Sequence, residues 1–257
     1  MNKPALQEFL DYKVRLYNNP DFIPNDPISI PHQYNTLQDI EISGFFTALL
    51  SWGRRNMIVK SSSNLMKLMD NAPYDFILHH KHSDLKPFLT FNYRTFNSLD
   101  LLYFISFFKE YYSTFLSLES AFSNHLISND RDVEKALTGF QQIVFAGEYP
   151  ERTKKHLSSP AKNSACKRLN MFLRWMVRSD HQGVDFGLWK TISPSQLIIP
   201  MDVHVSRVAR RLELIKDNHV NWKNALKLTD ELRAFDPEDP VKYDFALFGL
   251  GIMEKFA

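Results

Sequence analysis

Residues 198–212 read IIPMDVHVSRVARRL, and the parsing of this stretch decides the fold. Ile198 and Ile199 lead into Pro200, whose ring disfavours helix at the residue before it, so the approach is extended. From Val203 the spacing turns helical and runs to about Leu214. Asp202 therefore stands at or beside an N-cap. There its carboxylate can accept hydrogen bonds from the first free backbone amides and interact favourably with the helix dipole. An isolated aspartate in this position needs no role beyond capping.

Upstream, residues 165–180 read ACKRLNMFLRWMVRSD. Leu169, Phe172, Leu173, Met176 and Val177 recur at helical spacing and must face a core. Lys167, Asn170, Arg174 and Arg178 follow one another at steps of 3, 4 and 4 on a different side, which predicts a single cationic stripe. The loop HLSSPAKNS (156–164) precedes this helix, and a loop with Gly183, Gly187 and Pro194 follows it. Between Glu151 and Arg178, eight lysines and arginines face the single acid Glu151. Arg207, Arg210, Arg211 and Lys216 continue the basic trend, and Asp230 to Asp244 reverse it. The net charge of +2 says little, but cations gathered in the middle third fit either a polyanion surface or an ordinary solvated helix face.

The rest of the chain is also patterned for helix. Helices are expected over Pro4–Tyr17, in two pieces meeting near Trp52-Gly53 within residues 39–70, and around 73–80, 99–112, 117–127 and 132–145. WKNALKLTDELRAF and VKYDFALFGLGI supply two more near the end. Prolines at 20, 24, 27 and 31 exclude regular helix between the first and second. Apolar residues make up 44% of 257, enough for a buried interior, and Leu, Phe and Met dominate over β-branched types. Eight glycines are too few for a turn-rich sandwich or a Rossmann-type fold. The class expected is all-α. One cysteine, Cys166, excludes an internal disulfide framework and a four-cysteine cluster or zinc site, and is read as a buried packing residue. His79, His80 and His82 fall on an exposed turn, so no metal and no cofactor is assigned. No apolar run reaches membrane-spanning length, and the amphipathic start does not resemble a signal peptide. A cytoplasmic or nucleoid location with no membrane partner is expected.

The pattern Pro200-Met201-Asp202-Val203-His204-Val205 running on to RVARRL resembles the signature of the helix-hairpin-helix DNA glycosylase superfamily of base-excision repair. EISGFFTALLSWGRRN (41–56) resembles that superfamily's early helix, whose end inserts side chains into DNA. YDFALFGLGI (243–252) resembles a late helix, and the similarity covers roughly residues 36–257. The chain is similar to a bacterial family related to the archaeal 8-oxoguanine DNA glycosylases. Most relatives turn their hairpin on Gly-x-Gly. Here HLSSPAKNSAC has no glycine, and Lys167 and Asp202 lie 35 positions apart (202 − 167); the archaeal group shares both features.

The resemblance implies a two-lobed helical glycosylase-like fold, with lobes of about 36–150 and of 1–35 plus 151–257. It further implies a DNA glycosylase with AP lyase activity on an oxidised purine, acting as a monomer on duplex DNA containing a damaged base. Asp202 would be the catalytic aspartate. Lys167, at the start of the second hairpin helix, would be the amine that forms a Schiff base with the sugar. A helix N-terminus, Arg168 beside it, and burial against Leu169 and Met171 all disfavour its charged form. Arg54, Arg55, Lys162, Arg168, His204 and Arg207 would contact DNA. Trp52, Phe245 and Phe248 would form the base pocket or wedge, although core packing is the competing reading for all three. Two rivals stand beside the enzyme: a non-catalytic DNA-binding or scaffold protein retaining the fold, and a helical domain whose basic stripe meets an acidic partner.

Overall fold

A computed structural model describes residues 2–256. In chain order the helices are α1 (Lys3–Tyr17), α2 (Leu37–Leu50), α3 (Arg55–Leu68), α4 (Pro73–His79), α5 (Ser98–Tyr112), α6 (Glu119–Ser123), α7 (Glu134–Val144), α8 (Lys167–Val177), α9 (Val203–Arg211), α10 (Trp222–Arg233) and α11 (Tyr243–Ile252). The class is all-α. Among the described residues the one strand pairing is a short antiparallel ladder that the sequence pattern did not announce. In it β1 (Asn92–Tyr93) meets β2 (Phe96–Asn97), with Asn92 opposite Asn97 and Tyr93 opposite Phe96.

The proline-rich segment is organised into 3-10 turns at Pro20–Asn25, Pro27–Ser29 and Pro31–Gln33. Proline opens each of them, where its missing N–H has no intrahelical partner to lose. The helix expected over 117–127 shortens to α6. Ser117 Oγ (2.6 Å) and Leu118 N (3.0 Å) both donate to the buried Glu41 carboxylate, and these bonds hold the chain out of helix until Glu119.

The chain divides into two compact units. The first comprises the chain up to Ile23, Leu126–Thr138 and everything from Ser159 on. The second comprises Pro24–His125 and Gly139–Ser158.

The second unit is built on aromatic packing. Every residue of α2 from Ile40 to Leu50 is buried, which is why that stretch has no polar face. Phe45 meets Phe108 edge-on at 5.1 Å and Phe104 at 5.6 Å, while Phe122 stacks on Phe140 at 4.0 Å. Such pairs add about 0.5–1.5 kcal/mol each beyond the area they bury. Asp100, wholly buried at the start of α5, accepts from Asn97 N (3.0 Å) and Thr153 Oγ1 (2.8 Å). His156 Nε2 lies 3.2 Å from the oxygen that accepts from Asn97 N, so one carboxylate completes the capping box of α5 and anchors the Glu151–His156 turn.

In the first unit α1 and α9 both pack on α11. A Cβ at Gly249 would lie 2.2 Å from the Tyr17 ring, and one at Gly251 would lie 3.3 Å from His204 and Val208. Glycine inside a helix costs about 1 kcal/mol relative to alanine, and here it lets two neighbouring helices close onto α11. α8 is buried from Leu169 through Val177. Phe186 N and Trp189 N donate to the carbonyls of Trp175 and Met176, folding the following loop back onto the helix end.

Candidate active site

Lys167 and Asp202 come together in the first unit, each at the N-terminal end of a helix. Asp202 is the N-cap of α9, with extended backbone at φ −123° and ψ −172°. Its Oδ1 accepts from His204 N (2.9 Å) and Val205 N (3.0 Å). Oδ2 is left facing Lys167 Nζ at 3.9 Å, and both side chains are a little over one quarter exposed. The approach is rigid, since Ile198 through Met201 are buried and Ile199 N donates to Thr229 Oγ1 at 3.1 Å.

Lys167 is the first residue of α8, after a turn that contains no glycine. Left-handed backbone is supplied instead by Asn163 (φ 53°) and by the N-cap residue Cys166 (φ 47°). Such a conformation costs a non-glycine residue about 1–3 kcal/mol and persists only where the surroundings fix it. Asn163 is fixed at both ends of its residue: its carbonyl accepts from Trp222 N (3.2 Å) and its Oδ1 from Lys223 N (3.3 Å). Cys166 is buried, and Asn170 Nδ2 donates to Ala165 O at 3.0 Å.

The cationic stripe expected along this helix does not exist as a surface. Asn170 is 1%, Arg174 4% and Arg178 2% exposed. Arg174 donates from Nε to Asp185 (3.2 Å) and from Nη1 to Asp244 Oδ2. Arg178 meets Asp185 at 3.1 Å, Asp239 at 2.9 Å and Asp180 at 2.8 Å. Burial works against the Arg178 charge, but these three carboxylates outweigh it and hold the guanidinium firmly protonated. Two cations that helical spacing placed on an exposed stripe, whether a polyanion surface or a solvated face, are thus consumed by an internal network. The aspartates that neutralise them lie up to 70 positions away in sequence.

Asp244 is the residue that sequence reasoning missed. It lies in the first turn of α11, is buried, and is pushed up to about 6. Burial is the main cause, Arg174 and Lys167 pull it down, and Asp202 and Asp185 push it up. Asp244 therefore belongs electrostatically to the same site as Lys167 and Asp202. One signal was available: an acid in the first turn of the otherwise apolar run YDFALFGLGI must have a buried cation to meet it.

Of the other residues expected to contact DNA in this unit, Lys162, His204 and Arg207 are exposed; Val203, next to Asp202, is 51% exposed. Arg168 is half-buried, and burial lowers its guanidinium to about 10, so it stays charged at neutral pH. Phe245 is fully buried, as the core-packing reading of it expects, with the Arg174 guanidinium 4.4 Å and the Arg178 guanidinium 5.4 Å from its ring centre. Phe248 is half-buried, 6.0 Å from Phe22.

Trp52, Arg54 and Arg55 belong to the second unit. Trp52 is half-buried beneath the Arg94 guanidinium, 4.4 Å from its ring, and its carbonyl accepts from Tyr93 Oη at 2.9 Å. Arg54 is exposed and Arg55 half-buried. Among the described residues no cluster of three or more His, Cys, Asp or Glu is arranged to hold a metal ion, and no helix is long and apolar enough to cross a membrane.

No curated protein and no solved structure matches the chain. Residues 26–253 match the family described as Protein of unknown function (DUF2400). The chain, matched over most of its length, belongs to that family.

Proposed function

We propose that this protein is a DNA glycosylase with AP lyase activity, of helix-hairpin-helix type, acting on duplex DNA that carries an oxidised purine such as 8-oxoguanine. The observation that carries the reading is the amine of Lys167 facing the free oxygen of Asp202 at 3.9 Å, on a partly open surface between two helix N-termini. An amine beside a carboxylate in this geometry suits attack on a sugar carbon. Helix N-termini together with Lys162, Arg168, His204 and Arg207 suit the phosphates on either side.

In this mechanism the damaged nucleotide is turned out of the stack, because its glycosidic bond cannot be reached inside the duplex. The Lys167 amine attacks the anomeric carbon. The new C–N bond forms as the glycosidic bond breaks, and the base leaves with the bonding pair and takes up a proton. Asp202 Oδ2 stabilises positive charge developing on the sugar and accepts the proton lost by the amine. Opening of the sugar ring gives an imine, and loss of the neighbouring proton expels the 3′ phosphate by β-elimination. Hydrolysis of the imine then frees Lys167.

The test is incubation with duplexes bearing single damaged bases, in the presence of borohydride. A covalent complex is expected, absent in Lys167→Gln. Asp202→Asn is expected to stop base release while leaving duplex binding intact. Failure to release or trap any of a panel of damaged bases, with duplex binding retained, would contradict the enzyme and leave a non-catalytic DNA-binding protein.

A further inference from the structure

The second unit carries a basic groove that none of the residues discussed so far explains. α3 reads RNMIVKSSSNLMKL and contains no acid. Its buried face is Ile58, Ser62, Leu65 and Met66, which leaves Lys60 and Lys67 on the other side, both exposed. Seven residues apart, they stand about two turns, ~10.5 Å, along one helix. Between α3 and the segment Pro87–Asn92 lies an open groove of about 730 Å³. Both lysines line it, together with the hydroxyls of Ser61 and Ser63 and the amides of Asn64 and Asn92. No carboxylate lines it, and neither lysine forms an ion pair among the described residues. Arg54 and Arg55 extend the positive charge at the start of the helix.

We propose that this groove binds the sugar-phosphate backbone of a single nucleic-acid strand. Two ammonium groups in line, flanked by hydroxyl and amide donors with no competing acid, match the charge and hydrogen-bond demand of successive phosphodiesters. A recess of this volume takes a ligand of drug-like size, one or two nucleotides rather than a duplex. The one aromatic ring in its lining, Phe91, is buried, so the groove offers no stacking platform. Recognition is then of the backbone, tolerant of sequence and strongly dependent on salt. Met57, Leu68 and Pro87 line the groove as well, so the choice of a phosphodiester over an acidic peptide rests on the two lysines with no competing acid, and the test includes an acidic polypeptide as competitor. The proposal does not depend on the Lys167 chemistry.

The test is fluorescence anisotropy of the full chain with a labelled mixed-sequence single strand, and with the corresponding duplex, between 50 and 200 mM salt. Lys60→Ala/Lys67→Ala should weaken single-strand binding about tenfold at low salt and reduce the slope of log K against log salt by about 1.4, two contacts at about 0.7 each. Lys60→Arg/Lys67→Arg should restore both, and Lys167→Gln should leave the loss unchanged. Unaltered affinity and slope in the alanine variant would overturn the proposal. So would an equal loss on the duplex, or tighter binding of polyglutamate than of the single strand.

Discussion

The two ends of α8 make opposite use of positive charge. At its start Lys167 is partly open to solvent and holds one carboxylate at 3.9 Å. Two and three turns on, Arg174 and Arg178 are buried and share Asp180, Asp185, Asp239 and Asp244. Spacing along the helix put all three cations on one side, and that much is geometry. Whether a side is wet or buried is decided by what folds over it. Here the loop through Asp180 and Asp185 and the start of α11 bring enough negative charge to bury two guanidiniums. Burial keeps Asp244 high against the pull of Arg174 and Lys167, and Asp202 and Asp185 add to the rise, so this buried carboxyl is coupled to the Lys167–Asp202 pair.

The comparison can be broken most strongly at its buried end. Arg178→Ala strands three carboxylates around an emptied site, and removing one partner of a buried ion network typically costs about 3–5 kcal/mol. A large drop in the urea midpoint is expected, and a change under about 1 kcal/mol would mean that the network is not closed as described.

Asp244 gives the next effect, read as a pH dependence. Its carboxyl sits near 6 in the folded protein against 3.8 unfolded. Between those values the native state binds more protons than the unfolded state, so stability contributed by Asp244 is fully present below about pH 4 and is lost as pH rises through 6. The shift corresponds to about 3 kcal/mol at most. Asp244→Asn should flatten unfolding free energy against pH over this window, and an unchanged slope would assign the pH dependence to other groups.

At the exposed end the effects on stability shrink. Asp202→Ala removes the cap of α9 and should cost about 1 kcal/mol, with Asp202→Asn recovering most of it because the amide oxygen still accepts from His204 N and Val205 N. Lys167→Gln removes a partly solvated pair and should change stability by less than about 1 kcal/mol in thermal melts. A larger loss would make Lys167 structural, like Arg174.

How much of this was legible in the sequence follows the same division. Local signals carried far: the proline-set approach to Asp202, the helical spacing after Lys167 and the break at Trp52-Gly53 all appear where the pattern put them. Long-range pairing was not legible. Nothing near Arg174 announces Asp244, and nothing near Glu41 announces that Ser117 and Leu118 will donate to it and shorten α6. The turn before Lys167 was opaque for another reason: Asn163 and Cys166 adopt a backbone that glycine usually takes, and Cys166 has no side-chain chemistry that marks it for that conformation.

The central claim is that Lys167, beside Asp202, is a reactive amine rather than one more cation of this helix. Peptide mapping by mass spectrometry, after borohydride reduction of the protein on duplex DNA containing 8-oxoguanine, tests it most directly. The account predicts a sugar adduct on the peptide containing Lys167, and none in Asp202→Asn. An adduct on another lysine, or none on any damaged base the protein binds, would contradict it.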